Sequence, residues 1–336
     1  MSAPALDAAA STAPVLDVQS VDVVLGRGWR AAQILSGVDL KIWPGEIVGL
    51  VGETGSGKTT LARTVAGLVD PVRGQVTFDG IPISALRRGA RRAQRRTGHL
   101  QLVFQDPLRS LDPDLTVADI VGEGLRIRGE AGAEIRRRVT AALELVGLDG
   151  SVLSRTPGQI SGGQRQRVSI ARALAPDPRL LICDEPVSAL DASSRNYVLR
   201  LLDKLRTELR LPIVIISHDL SSLAGIADRI VVLYRGRIVE DGPVGQVFTD
   251  PRHPYTALLM ASAPSIRQDL PLSPRQLRRG AADPPAPAGP DACVFAARCP
   301  FAADACSVQP PLQAAGDRRT VACHRHGEWE PLARNR

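Results

Sequence analysis

Short apolar runs recur along the chain, and stretches with a helical spacing of apolar positions separate them. The runs Glu46–Val51, Leu180–Asp184, Leu211–Ser217 and Arg229–Tyr234 are almost continuously hydrophobic. Such runs are typical of strands that are covered on both faces, as in parallel sheets. Because these strands alternate with helical segments, the pattern predicts an α/β core with a mostly parallel sheet.

The clearest helical patterns follow the first of these strands and fill the middle of the chain. The segments Leu61–Leu68, Glu134–Val146 and Arg167–Leu174 predict helices, since their apolar side chains recur every three or four positions. No apolar stretch approaches the roughly 18 uncharged residues that a membrane-spanning helix needs. The sequence therefore offers no candidate for a bilayer span.

Composition divides the chain into four parts. Residues 1–14 are rich in Ala, Ser and Pro without a basic region followed by an apolar one, so we expect a disordered lead and not a secretory signal. Residues 15–250 carry the α/β pattern. Residues 251–290 contain a short motif-bearing segment and a proline-rich linker that we expect to remain unpacked. Residues 291–336 hold four of the five cysteines.

Residues 52–59 read Gly-Glu-Thr-Gly-Ser-Gly-Lys-Thr and fit the phosphate-loop pattern G-x-x-x-x-G-K-[ST]. They lie between a predicted strand and a predicted helix, the context that supports this motif. Glycines let backbone N–H groups approach phosphate oxygens, Lys58 suits the β- and γ-phosphates, and Thr59 suits Mg²⁺. We therefore expect a bound nucleoside triphosphate. The predicted contacts are Gly52, Gly55, Ser56, Gly57, Lys58, Thr59 and Thr60.

Two carboxylates end the predicted strand Leu180–Asp184. We expect Asp184 to hold the water shell of Mg²⁺, as an aspartate at this place does in phosphate-loop enzymes. Glu185 is expected to orient or deprotonate the attacking water. The alternative is an ordinary acidic pair at a strand end, which the phosphate loop makes the weaker interpretation.

The segment Ile160–Arg167 reads Ile-Ser-Gly-Gly-Gln-Arg-Gln-Arg and begins about twenty residues ahead of the acidic pair. It resembles the LSGGQ signature of ABC ATPases, with Ile160 in place of the leucine. The chain thus resembles the ATP-binding subunits of ABC transporters over roughly residues 17–250. The resemblance implies an ABC-type phosphate-loop NTPase core with a mostly parallel sheet, an antiparallel β part and a helical signature subdomain, followed by a small Cys-rich C-terminal extension.

The resemblance also implies roles for residues outside the phosphate loop. Gln105 matches the Q-loop glutamine, a catalytic residue that contacts Mg²⁺ and water. Asp191 matches the D-loop, which crosses the seam between two subunits. His218 matches the switch histidine, a catalytic residue whose neutral imidazole bridges the γ-phosphate and the developing charge. The signature residues contact ATP held by the opposite subunit, and they are Ser161, Gly162, Gly163 and Gln164.

The adenine contact departs from the family pattern. An aromatic residue ahead of the phosphate loop usually stacks on the base, whereas the aligned position here carries Val24 or Leu25. Trp29, in a neighbouring turn, is the alternative, and the sequence assigns no stacking residue.

Residues 250–259 read Asp-Pro-Arg-His-Pro-Tyr-Thr-Ala-Leu-Leu and resemble the H-P-Y-T-x-x-L segment of dipeptide, oligopeptide and nickel importer ATPases. This implies a subunit that is peripheral on the cytoplasmic face of the plasma membrane. The implied partners are a second ABC ATPase subunit in a homo- or heterodimer, two membrane permease subunits and, indirectly, an extracytoplasmic solute-binding protein. The transported solute, a peptide, nickel or another small solute, stays open.

The charge balance leaves an alternative from another class. The chain has 42 Lys and Arg against 35 Asp and Glu, a net charge of +7, which suits nucleic acid as well as a membrane surface. A stripe of arginines from Arg87 to Arg96 is interpreted as a solvated helix face or as a face near anionic lipid or the permease. A soluble ABC ATPase acting on nucleic acid or ribosomes is the alternative. Since only 3% of residues are aromatic, base-stacking platforms are scarce and no nucleic acid is expected.

Four cysteines near the C-terminus follow a C-x5-C-x6-C-x16-C pattern, and they are Cys293, Cys299, Cys306 and Cys323. So short a segment buries little apolar surface, and a bound metal would stabilise it. Four thiolates suit a [4Fe–4S] cluster or tetrahedral Zn²⁺. The lack of a C-x₂₋₄-C pair favours iron–sulfur. The resemblance implies the same, because the related importer ATPases carry this four-Cys extension and some are associated with such a cluster. The alternatives are zinc, with His324 or His326 as a further ligand, and no metal.

The fifth cysteine, Cys183, is predicted to be a buried apolar residue of a strand.

Overall fold

The computed structural model describes residues 13–188, 190–263, 272–280, 283 and 285–334. Most of the predicted disordered lead and part of the proline-rich linker lie outside these residues. The strands are β1 Leu16–Leu25, β2 Ala32–Ile42, β3 Ile47–Val51, β4 Arg73–Phe78, β5 Ile81–Pro82, β6 Leu100–Val103, β7 Leu180–Asp184, β8 Ile213–Ser217, β9 Arg229–Tyr234, β10 Arg237–Pro243, β11 Gln313–Ala314 and β12 Thr320–Val321. The helices are α1 Lys58–Val65, α2 Arg88–Arg96, α3 Pro107–Ser110, α4 Val117–Ile127, α5 Gly132–Leu145, α6 Gly162–Leu174, α7 Ala192–Leu209, α8 Leu220–Ala224, α9 Val244–Thr249, α10 Pro254–Ser262 and α11 Trp329–Arg334.

The strands form two sheets. The smaller one has the order β2-β1-β4-β5 and is antiparallel throughout. The larger one has the order β11-β12-β10-β9-β3-β8-β7-β6. Its strands from β9 to β6 pair in parallel, and β10, β12 and β11 continue it with antiparallel pairs. The predicted α/β fold with a parallel core and an antiparallel part is confirmed.

The central strands are buried along their whole length. Every residue of β3, β7 and β8 is buried, as the continuous apolar runs predicted. The helices α1 and α6 begin earlier than their apolar pattern indicated. The first three residues of each helix are polar or glycine and carry no apolar pattern. Gly57 precedes α1, and the side chain of Ser161 caps α6.

Three of the helices between β6 and β7 form the helical subdomain that the resemblance implied. Helices α4, α5 and α6 contribute side chains such as Leu125, Leu143 and Val168 to one apolar core. Thr116 begins α4, because its hydroxyl accepts a hydrogen bond from the backbone N–H of Asp119 at 3.2 Å. The arginine stripe forms the separate helix α2, in which no residue is buried.

The C-terminal part of the chain completes the larger sheet. Glu240 of β10 pairs with Val321 of β12, so residues of the Cys-rich extension lengthen the sheet of the α/β core. The same Glu240 forms an ion pair with Arg319, and the two side chains are almost fully buried. The expectation of an unpacked linker is corrected at residues 272–280, because Leu272 and Leu277 are buried in the main core.

Within the described ranges, no helix is both long enough and apolar enough to cross a lipid bilayer.

Candidate nucleotide-binding site

The loop between β3 and α1 has a backbone that its glycines make possible. Gly57 precedes the first residue of α1 with a left-handed φ of +108°, which an L-residue rarely adopts. A Cβ atom at Gly52 would lie 2.1 Å from the carbonyl oxygen of Leu233. Side chains at these two positions would therefore move the loop away from β9 or distort the start of the helix.

The Lys58 side chain folds back onto the loop. Its Nζ donates to the carbonyl oxygens of Gly52 and Glu53 at 2.7 and 2.9 Å. Burial lowers the pKa of Lys58, and the nearby charges of Glu185, Asp184 and Glu53 counteract this effect. The ammonium group is thus held in the loop by two neutral carbonyl oxygens. A bound phosphate would offer it an anionic oxygen instead, which is a stronger hydrogen-bond partner.

Thr59 and Asp184 meet where α1 begins and β7 ends. The Thr59 hydroxyl donates to Oδ2 of Asp184 at 3.0 Å. Burial raises the pKa of Asp184, although the hydrogen bond from Thr59 works against this shift. A carboxylate and a hydroxyl are hard oxygen ligands that suit Mg²⁺, which takes its remaining ligands from phosphates and water. This donor set fits Mg²⁺, although the described residues contain no cluster of three or more His, Cys, Asp and Glu for a metal.

Glu185 lies between the two other predicted catalytic residues. Its Oε2 accepts a 2.7 Å hydrogen bond from Nε2 of Gln105, and its Oε1 lies 2.9 Å from Nδ1 of His218. Glu185 also has a left-handed φ of +49°, which is strained for a residue other than glycine and is frequent at active sites. The turn after β7 thus directs this carboxylate toward the loop residues.

A cleft of about 780 Å³ joins these groups. Its lining brings together Gly52, Gly55, Gly57, Lys58, Thr59, Thr60, Gln105, Asp184, Glu185 and His218. Ile34 of β2 and Leu259 of α10 also line it. No sequence motif indicated Ile34, and Leu259 is the last residue of the H-P-Y-T-x-x-L segment, to which the sequence assigned no contact with the nucleotide. Ser56 is buried, and its hydroxyl lies 3.5 Å from Nζ of Lys58. The sequence-predicted loop and catalytic residues therefore share one site.

The signature residues lie elsewhere. The Ser161 hydroxyl accepts from the N–H of Gln164 at 3.2 Å, and the Gln164 side chain accepts from the N–H of Ser161 at 2.9 Å, so the pair caps α6. Asp191 caps α7, because its carboxylate accepts hydrogen bonds from the N–H groups of Ser193 and Ser194, and hydrogen bonds from these two residues lower its pKa. A Cβ at Gly163 would lie 2.9 Å from Oγ of Ser194, so the two helix starts are neighbours.

Among the described residues that line the cleft, neither the signature nor Asp191 appears. The same lining includes neither Leu25 nor Trp29. Trp29 is 88% exposed, and its ring lies 4.6 Å from the guanidinium carbon of Arg30. The described lining of the cleft therefore includes the phosphate loop and the acidic groups. It includes neither the signature residues nor the residues considered for stacking on the base.

The C-terminal segment touches the phosphate loop, which sequence reasoning missed. Arg298 donates two hydrogen bonds to the carboxylate of Glu53, and the Tyr255 hydroxyl accepts one from the N–H of Glu53. Glu53 occupies a variable position of the loop pattern, so the motif gave no signal for this contact. Tyr255 belongs to the segment that resembles importer ATPases, yet the resemblance assigned it no role.

The four C-terminal cysteines line one mostly apolar pocket, together with Phe295, Phe301, Trp329 and His324. They are Cys293, Cys299, Cys306 and Cys323. All of them are free thiols, and burial raises the pKa of Cys293 and brings that of Cys299 and Cys323 to about 12. Over the described residues no group of three or more His, Cys, Asp and Glu is arranged to hold a metal ion. A metal centre here is not confirmed and stays a prediction.

Cys183 lies apart from that pocket, in β7. It is fully buried, and burial raises the pKa of its thiol to about 12. It is an apolar core residue, as its position in a continuous apolar run indicated.

Comparison with known protein families gives two matches. Residues 35–188 match the model of the ABC transporter family, and residues 239–306 match the oligopeptide/dipeptide transporter C-terminal region. The first match spans the phosphate loop, the signature and the acidic pair. The second spans α10 and three of the four C-terminal cysteines.

Individual relatives match over most of the chain. A putative peptide import ATP-binding protein of Brucella ovis is 46% identical over 300 residues, which cover 89% of this chain and 93% of that protein. The oligopeptide transport ATP-binding protein OppF of Escherichia coli is 40% identical over 307 residues, which cover 89% of this chain and 91% of that protein. Among solved structures, a dimeric ATP-binding cassette in a post-hydrolysis state, bound to ADP and Pi, is 31% identical with a TM-score of 0.62. The match covers 68% of this chain and 98% of the chain of that structure.

Proposed function

The chain belongs to the ATP-binding subunits of ABC transporters, and from this we propose that it drives an importer for peptides or related small solutes. It is an ATPase, as are the cassettes of its family. The peptide assignment is supported by the names of its relatives from Brucella ovis and Escherichia coli. The match of residues 239–306 to the oligopeptide/dipeptide transporter C-terminal region points in the same direction.

The main support for the ATPase mechanism is the position of Glu185, which lies between Gln105 and His218 in the cleft of the phosphate loop. In this mechanism Lys58 binds the β- and γ-phosphates, and Thr59 and Asp184 would hold Mg²⁺. Mg²⁺, when bound, neutralises charge on the phosphate oxygens.

The hydrolytic step is assigned to the acidic end of β7. Glu185 orients or deprotonates a water whose oxygen bonds to the γ-phosphorus, while the bond from that phosphorus to the β–γ bridging oxygen breaks and ADP leaves. His218 donates a hydrogen bond to the γ-phosphate as charge develops on its oxygens. Gln105 holds Glu185 through the 2.7 Å hydrogen bond, and it would contact Mg²⁺ and water when they are bound.

The separation of the signature from the cleft supports a composite site. The signature lies at the start of α6, where N–H groups and the Ser161 hydroxyl suit a γ-phosphate. In the proposed assembly, Ser161, Gly162, Gly163 and Gln164 contact ATP on a second ATPase subunit, and Asp191 lies at the seam. ATP binding closes the pair and moves two permease subunits toward an outward-facing state, and hydrolysis reopens it. The subunit is then peripheral on the cytoplasmic face of the plasma membrane.

The proposed domains keep the boundaries drawn from the sequence. The ATP-binding domain is assigned to residues 15–250, the importer-type segment and linker to 251–290, and the Cys-rich extension to 291–336. The pairing of β10 with β12 joins the first and last of these in one sheet. We therefore treat the extension as an integral part of the subunit.

The four-Cys pocket is assigned a [4Fe–4S] cluster with a structural role. Four thiols share one apolar pocket, and burial there raises the pKa of three of them. The cluster is preferred to Zn²⁺ because the spacing of the four cysteines lacks the C-x₂₋₄-C pair that structural zinc sites favour.

Anaerobic purification of the full chain tests the cluster directly. Brown protein with about four irons and matching sulfide per chain is expected. Cys306→Ser should lower the iron content, whereas Cys183→Ser, at a buried cysteine of β7, should not. Colourless protein with stoichiometric zinc, or with no metal, contradicts the assignment.

Transport itself is tested with the full chain copurified with its permease subunits in detergent and placed in proteoliposomes. We expect peptide uptake that requires ATP on the side of this subunit, and ATPase activity that rises with a peptide-loaded binding protein. The alternative function, an ABC ATPase acting on nucleic acid or ribosomes, predicts copurified nucleic acid and no permease.

A further inference from the structure

Glu53, the second residue of the phosphate loop, is held at three places. Its carboxylate accepts hydrogen bonds from Nη1 and Nη2 of Arg298 at 2.8 and 2.9 Å. Its N–H donates to the Tyr255 hydroxyl at 2.9 Å, and its carbonyl oxygen accepts from Nζ of Lys58 at 2.9 Å. One of these partners lies within the loop, and the other two come from the C-terminal quarter of the chain.

The position of Arg298 is itself restricted by aromatic rings. Its guanidinium carbon lies 5.7 Å from the ring centroid of Tyr234 and 5.8 Å from that of Phe295. The rings of Tyr234, Tyr255 and Phe295 pack together, with centroid separations of 4.4, 5.3 and 5.5 Å. A bidentate guanidinium–carboxylate pair also fixes the orientation of both groups more strongly than a single contact.

We propose that Arg298 is a positioning residue of the ATP site: it acts through Glu53 to hold the phosphate loop in its binding conformation. The C-terminal Cys-rich segment then sets the affinity of the loop for ATP, a role beyond its own fold. This inference rests on the proposed ATP site at residues 52–59. Since a loop that is ordered before ATP arrives loses less entropy on binding, the contact raises affinity without touching the nucleotide.

The expected effect is modest, because water reaches the pair. The side chains of Arg298 and Glu53 are both 43% exposed, and salt screens such pairs. We therefore expect Arg298→Gln to raise the Kd for MgATP about threefold at low ionic strength. The difference from the unaltered chain should shrink as NaCl is added.

The test measures MgATP affinity of the full chain by competition with a fluorescent ATP analogue. The variants are Arg298→Gln, Glu53→Gln and the double variant, with Arg298→Lys as the conservative replacement. Each single variant should bind about threefold more weakly, and the double variant no more weakly than either single one, because both remove the same contact. Arg298→Lys should lie between Arg298→Gln and the unaltered chain. The KM for ATP should rise while kcat stays within about twofold, since Arg298 touches no reacting atom.

The matched control is Arg334→Gln, which breaks an exposed pair with Glu330 at 2.7 Å in α11. It should leave the Kd unchanged. An unchanged Kd in folded Arg298→Gln, or additive losses in the double variant, overturns the proposal. If Arg298→Gln does not fold, an unchanged Kd in folded Glu53→Gln overturns it equally, because that variant removes the same ion pair from the other side. A failure of the unaltered chain to bind ATP is a different result, because it refutes the ATP site itself.

Discussion

Nδ1 of His218 lies 2.9 Å from Oε1 of Glu185, although 33 positions separate the two residues in the chain. They meet because β7 and β8 are parallel neighbours, so that the residues after their carboxyl ends lie at the same edge of the sheet. This pairing keeps the imidazole beside the carboxylate that is assigned to the attacking water.

The first prediction concerns His218. His218→Ala should lower kcat for ATP hydrolysis about 10²-fold, because it removes a group that stabilises developing charge. The KM should change little, since Lys58 and Thr59 remain. Steady-state phosphate release measures both constants. His99→Ala, at a histidine outside the cleft, should leave them unchanged; a similar loss in both variants would contradict a catalytic role for His218.

The second prediction concerns Lys58. Lys58→Ala should raise the Kd for MgATP by about tenfold or more, because a charge-assisted contact with phosphate oxygens is lost. Equilibrium binding of a fluorescent ATP analogue measures this effect without turnover. Lys204→Ala, at a surface lysine that pairs with Glu208, is the control. Equal affinity in Lys58→Ala and the unaltered chain would remove Lys58 from the phosphate contacts.

The third prediction follows from the distance between the signature and the cleft. Two inactive variants, Lys58→Ala and Ser161→Arg, should recover activity when mixed, because one composite site of each mixed pair is intact. Random pairing of a homodimer restores about a quarter of the sites. Mixing Lys58→Ala with Glu185→Gln should restore none, since both defects lie in the half that carries the phosphate loop. Absence of recovery in the first mixture, with dimers present, contradicts a composite homodimer site.

The fourth prediction concerns the buried pair Glu240–Arg319. Glu240→Ala should lower the free energy of unfolding by about 3–5 kcal/mol, because a buried guanidinium loses its nearer counterion and keeps only the Asp250 carboxylate at 3.7 Å. The same carboxylate accepts from the N–H groups of Arg252 and His253 at 2.9 and 3.0 Å, so these donors also lose a partner. Urea denaturation measures the change. Glu208→Ala, at an exposed pair, should change the free energy of unfolding by less than about 1 kcal/mol. Equal losses of stability in the two variants would show that the buried pair contributes no more than an exposed one.

Local patterns predicted the parallel core well. The bounds of β7 and β9 agree with the apolar runs that predicted them, because burial on both faces makes such strands continuously hydrophobic. The acidic pair at the end of β7, Asp184 and Glu185, could also be predicted, since its position at a strand end follows from the same run. The antiparallel sheet came only from the family resemblance, because β1 and β2 alternate buried with exposed residues irregularly around bulges.

The contacts made by the C-terminal part could not be predicted in this way. Arg298 and Glu53 are 245 positions apart, and β12 consists of only two residues, too few for a strand pattern. The left-handed φ of Glu185 has no sequence signal either, because it arises where the strand turns toward the cleft. Such features depend on tertiary packing and not on local propensity.

The central claim, that Glu185 directs ATP hydrolysis in the cleft of the phosphate loop, is tested most directly by Glu185→Gln. The amide keeps the size of the side chain and can still contact Gln105 and His218, but it cannot accept a proton from water. ATP turnover and MgATP affinity are measured on the same purified protein. We predict that turnover falls about 10²–10⁴-fold, that the Kd stays close to that of the unaltered chain, and that an ATP-bound dimer accumulates. Turnover near that of the unaltered chain would contradict the account.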